Sequence, residues 1–208
     1  AAGQLPQVSW IVAPATYSEH PGPSSPVQGA WYTQEVLNAL TANPAVWSKT
    51  VLFINFDEND GFFDHVPPPA APAYDNGVLA GKSMYVVSPW SRGGWVNSQA
   101  FDHTSVLRFL ELRFNVKEAN ISAYRRAVLG DLTSAFNFVN PNTETLPTLP
   151  SRDKATADSI RTAQGLKPQV PLPAVSAQQM PKQATGTRPS RALPYELHVS
   201  AREDATNR

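Results

Sequence analysis

Three short runs of β-branched and aromatic residues, 8–12 (VSWIV), 51–56 (VLFINF) and 84–87 (MYVV), each stop abruptly at polar or turn-forming residues. Runs of this length and composition predict buried strands. Segments with helical spacing lie between and after them. Gly29 to Ala42 sets Trp31, Val36, Leu37 and Leu40 near one face and ends at Asn43-Pro44. A second helix, capped by Asp102 or Thr104, carries Val106, Leu107, Phe109, Leu110 and Phe114 on its inner stripe. A third, Ser122 to Leu129, closes at Gly130. Strands alternating with helices predict an α/β fold, a mainly parallel sheet sandwiched by helices.

Composition narrows the function classes. The 208 residues suffice for one full core plus an appendage. A formal net charge of zero, with few charged residues, gives no electrostatic footprint for nucleic acid. The apolar runs are far shorter than a bilayer span, so contact with a membrane is expected at its surface only. The absence of cysteine removes disulfides, thiolate metal sites and a cysteine nucleophile. Of the 20 prolines many fall late, and 142–190 reads as a Pro-rich linker interrupted by one weak polar helix at 151–164. The segment 191–208 reads as the opening of a further β domain, and both ends of the chain look cut from something longer.

The chemistry concentrates where strands end, the usual place for ligands in an open α/β sheet. The run 51–56 delivers Asp57 and Glu58, followed by Asp60, a turn at Gly61, and Asp64-His65. Acids with a nearby histidine suit a divalent cation whose identity stays open: oxygen donors fit calcium, magnesium or manganese, and imidazoles admit zinc or iron. Each of His20, His65 and His103 follows an acidic residue and falls in a loop or at a helix start. A neutral imidazole there could bind metal; a protonated one could hold phosphate oxygens or protonate a leaving group. Trp31 and Trp90 are candidates for gripping a quaternary ammonium group, although core packing accounts for either.

Four ordered motifs carry a resemblance: Tyr17-Ser18-Glu19-His20-Pro21; Phe56-Asp57-Glu58-Asn59-Asp60-Gly61-Phe62-Phe63-Asp64-His65-Val66; Val87-Ser88-Pro89-Trp90-Ser91-Arg92-Gly93-Gly94; and Phe101-Asp102-His103-Thr104-Ser105. Together, over roughly residues 5–141, they resemble the bacterial phosphocholine-preferring phospholipase C and acid phosphatase family, a branch of the alkaline-phosphatase-like superfamily. The resemblance implies a three-layer α/β/α sandwich, here incomplete, with residues 1–141 as the C-terminal half of its catalytic domain. It also implies a secreted or periplasmic enzyme that hydrolyses a phospholipid or phosphocholine ester. Asp57 and Glu58 match its metal-binding acid pair, and His20, His65 and His103 match histidines around the phosphate.

The implied mechanism is in-line attack on phosphorus by a hydroxyl, followed by hydrolysis of the phospho-enzyme. The family's hydroxyl nucleophile and a Glu-Asn pair belong to an N-terminal half not found here, so this stretch alone is expected not to turn over. The stretch 73–83 is also shorter than the corresponding family segment. The rival readings are a phosphomonoesterase of the same family and a non-catalytic remnant that binds metal weakly or needs its other half to fold.

Overall fold

The computed structural model describes residues 4–57, 72–75, 84–93, 95–97, 99–141 and 150–164. Two bodies are distinguishable among them, one holding 4–50 with 150–164 and the other 51–141.

In the first body, helix α1 spans Pro26–Thr41 and helix α2 spans Pro44–Trp47. Both begin on proline, whose missing N–H costs nothing in a first turn. Asn43 stops α1 and starts α2: its side chain accepts from the N–H groups of Ala45 at 3.1 Å and Val46 at 3.3 Å. Helix α5, Lys154–Gln164, falls within the expected polar helix and packs against α1. The contact is more polar than the apolar stripe of α1 suggested. The residues α1 buries are Gln28, Gly29 and Gln34, whereas Trp31, Val36, Leu37 and Leu40 are only partly covered. Gln28 donates to Asp158 at 2.9 Å; Gln34 donates to the Pro150 carbonyl at 2.8 Å and accepts from the Arg152 N–H at 2.9 Å. Buried amides paired on both sides fix which residues meet, where an apolar stripe would tolerate slippage.

The run 8–12 departs from expectation. It forms no strand, and Trp10, Ile11 and Val12 are exposed. A strand exists only through its ladder, and none of the described residues pairs with this segment.

The second body carries the sheet. Strands β1 (Leu52–Asn55) and β2 (Met84–Val87) pair antiparallel, Leu52 opposite Val87 and Asn55 opposite Met84. This corrects the expectation of parallel pairing. Parallel neighbours need a crossover connection, usually a helix, and the sequence between these strands contains Pro67-Pro68-Pro69, poor material for one. Helix α3 (His103–Phe114) lies close to its expected place, and α4 (Ala123–Val128) follows with Ser122 as its cap, accepting from Arg125 N at 3.1 Å. Val106, Leu132 and Phe136 form the core, with Phe53, Met84, Val86, Trp90 and Phe109 packed around them. Phe53 meets Phe109 edge-on at 5.3 Å between centroids, and Phe109 meets Phe136 at 5.2 Å. Such ring pairs add to plain burial. The core therefore clamps α3 onto the sheet, and with it the residues at the end of β1.

The described residues form a mixed helical and antiparallel-sheet fold, compatible with the α/β class.

Candidate functional site

Asp57 stands two residues beyond the end of β1, exposed, at the carboxyl edge of the strand. The connection to α3 is direct. His103, the first residue of that helix, brings its Nε2 to 2.9 Å from the carbonyl oxygen of Phe56, the residue before Asp57. A carbonyl only accepts, so Nε2 carries the proton and donates it. Nδ1 is left as the nitrogen open to other work.

A network beneath His103 holds it in place. Asp102, its carboxylate almost wholly shielded, accepts from the N–H of Thr104 at 2.8 Å and its hydroxyl at 2.6 Å. Asp102 N–H in turn donates to the buried Ser105 hydroxyl at 3.1 Å, completing a reciprocal cap on α3. Arg125 of α4 pairs with Asp102 and, through Nε, with Asp75 at 2.8 Å. Ser122 donates to the other oxygen of Asp75. Hydrogen bonds from Arg125 first, then Ser122, hold the Asp75 carboxyl below its ordinary range. Two carboxylates on one guanidinium keep Arg125 firmly protonated, its pKa raised chiefly by Asp75.

A second ionic knot secures the far end of α3. Arg126 forks onto Glu111 at 2.8 and 2.7 Å, and the Glu118 N–H donates to the same carboxylate at 2.6 Å. The Arg126 bonds, then the Glu118 N–H, bring Glu111 down to about 2.

In the first body, His20 is exposed and Nδ1 accepts from the Gly22 N–H at 3.3 Å. A neutral His20 therefore carries its proton on Nε2, the nitrogen left free to reach an oxygen. Glu19, just before it, has φ of 66°, a left-handed conformation rare for such a residue. The turn is braced by Ser24, whose hydroxyl accepts from Glu19 N–H at 3.1 Å and donates to the Thr16 carbonyl at 2.8 Å. The Glu19 side chain lies where a Cβ on Gly29 would stand, so any larger residue there would have to displace it. Burial raises the pKa of Glu19.

The predicted residues are thus distributed unevenly. Asp57 and His103 share one edge of the second body. His20 and Trp31 belong to the first. Glu58 and His65 lie outside the described residues. Trp31 sits 4.9 Å from Tyr17, and the Lys154 ammonium lies over both rings at 5.8 and 5.2 Å, so this aromatic pair already holds a cation. Trp90 packs against the core and lies 5.9 Å from Phe138. Sequence reasoning missed Asp75 and Arg125, whose partners lie tens of positions away; a buried cap followed by an arginine on the next helix was the available signal.

Asp57 offers a hard oxygen donor in an accessible position, which suits one ligand of a divalent cation. Among the described residues, no group of three or more His, Cys, Asp or Glu side chains is arranged to hold a metal.

Comparison with known proteins gives the class: residues 1–117 match the phosphoesterase family, and the chain belongs to it. It is thus part of a hydrolase family. The chain is 60% identical to the non-hemolytic phospholipase C of Pseudomonas aeruginosa, over 97% of its own length and 33% of that protein's. It is 44% identical to the hemolytic phospholipase C of the same organism, covering 94% of this chain and 30% of that protein. Similarity extends to phospholipase C A of Mycobacterium tuberculosis, 38% identical over 94% of this chain and 43% of the relative. The chain spans about a third of the length of the first two relatives. The first alignment runs over 230 residues, more than the 208 of this chain, so that relative carries residues without counterpart here.

Proposed function

We propose that this chain is the C-terminal part of the catalytic domain of a phospholipase C that hydrolyses choline phospholipids to diacylglycerol and phosphocholine. The observation that carries the reading is the edge where Asp57 leaves β1 beside His103, in a chain whose relatives are named phospholipases C. By resemblance, residues 1–141 are assigned to the C-terminal half of an incomplete three-layer α/β/α catalytic domain. The enzyme is secreted or periplasmic and meets lipid at the membrane surface; among the described residues no helix is long and apolar enough to cross a membrane.

Asp57 and Glu58 hold a divalent cation, which when bound supplies a Lewis acid to the phosphoryl oxygens. The hydroxyl nucleophile comes from residues outside this chain. His20 and His65 are assigned to the phosphoryl group by resemblance, and His103 to the strand exit that carries Asp57. The free Nε2–H of a neutral His20 suits a hydrogen bond to a phosphoryl oxygen. Full proton donation to the leaving oxygen requires the imidazolium, which gives up the contact with Gly22.

Parallel assays of the protein expressed from its complete gene, with p-nitrophenylphosphorylcholine and p-nitrophenyl phosphate, test the substrate class. We expect faster turnover of the choline diester. Preference for the monoester identifies a phosphatase instead, and turnover of neither supports a non-catalytic remnant.

A further inference from the structure

We infer that His103 serves this site as a positioning residue, its imidazole acting through the Phe56 carbonyl on the path of the chain into Asp57, and not on the substrate; the inference rests on the phosphoesterase reading above. The last rung of the β1–β2 ladder joins Asn55 to Met84. Phe56 is one residue past it, so the ladder no longer fixes the backbone that aims Asp57. The His103 Nε2–H reaches the Phe56 carbonyl at 2.9 Å across 47 residues of sequence and replaces the missing rung.

The anchorage of His103 suits that task. It is the first residue of α3, directly after a cap whose carboxylate is held by Thr104 and Arg125, while Ser105 is fully buried. Arg125 also grips Asp75, which ties the cap to a further segment of the same body. The base of the imidazole is therefore fixed by α3 and its tip by the strand exit. The nitrogen used on the carbonyl is the one with the longer reach.

The test compares His103→Leu with His103→Gln in the protein expressed from its complete gene, because the glutamine amide places an N–H close to where Nε2 stands. Hydrogen–deuterium exchange of the segment around Asp57 and kcat/KM on p-nitrophenylphosphorylcholine are read side by side. In His103→Leu we expect faster exchange around Asp57 and a fall in kcat/KM of about 10–100-fold, as for other residues that orient a site from behind. His103→Gln should return both most of the way, with the wild-type pH profile. Unchanged exchange in His103→Leu overturns the inference. So does a glutamine variant that regains slow exchange but stays as inactive as the leucine one, since the ring itself would then be required. Asp57→Asn separates the two levels: if it turns over like wild type, the phosphoesterase reading of this edge fails, whatever the His103 variants do.

Discussion

The carboxylate of Asp102 accepts two hydrogen bonds from Thr104 and pairs with Arg125 while almost wholly shielded from water. A charge in that position is tolerable only with its partners in place. Arg125→Met should therefore destabilise the protein by roughly 3 kcal/mol, the cost of leaving a buried charge unpaired. A urea midpoint indistinguishable from wild type would show that the pair contributes nothing. Glu111 gives a pH signature. Its carboxyl is lowered from an ordinary 4.5 to about 2 by Arg126 and the Glu118 N–H. The folded state thus holds the proton less tightly than the unfolded chain. The resulting stability is fully present above about 4.5 and lost as pH falls through about 2. Glu111→Gln should flatten the acid limb of the stability profile across that window. Glu19 has the opposite sign: with a raised value, it favours folding most at low pH and loses that contribution as pH rises.

At the scale of elements, Gly130 closes α4 where the chain meets the 99–101 segment. Its N–H donates to the Ala100 carbonyl at 2.9 Å, and an added Cβ would run into Phe101 and Gln99. Gly130→Ala should cost about 2 kcal/mol by overpacking, measurable as a lower denaturation midpoint without loss of α4. Gly130 was legible in advance as a helix stop, as were the cap at Asp102, the strands 52–55 and 84–87, and the helices α1 and α3. These depend on local chemistry: side-chain oxygens at caps, prolines at first turns, apolar runs at strands. The pairing direction of β1 and β2 was less legible, because it turns on the connection between them. The run 8–12 has strand composition but no ladder partner among the described residues. Of the candidate site, Asp57 was readable from its place after an apolar run. The bond from His103 to the Phe56 carbonyl was not, since a backbone acceptor leaves no mark in sequence.

For the whole molecule, the two bodies divide the candidate residues, His20 with Trp31 in one and Asp57 with His103 in the other. The phospholipase reading turns on the edge that carries Asp57. Asp57 is its most direct probe, because it is accessible, lies outside both ionic networks and makes no contribution to the core. The decisive measurement is metal content together with turnover of p-nitrophenylphosphorylcholine, for wild type and Asp57→Ala, in the protein expressed from its complete gene. We expect stoichiometric divalent metal and turnover in the wild type, and in the variant a folded protein with turnover reduced by at least about 100-fold, the scale on which lost transition-state electrostatics is felt. Wild-type turnover retained by Asp57→Ala, with metal content unchanged, would contradict the assignment of this strand end as the phosphoryl-transfer site.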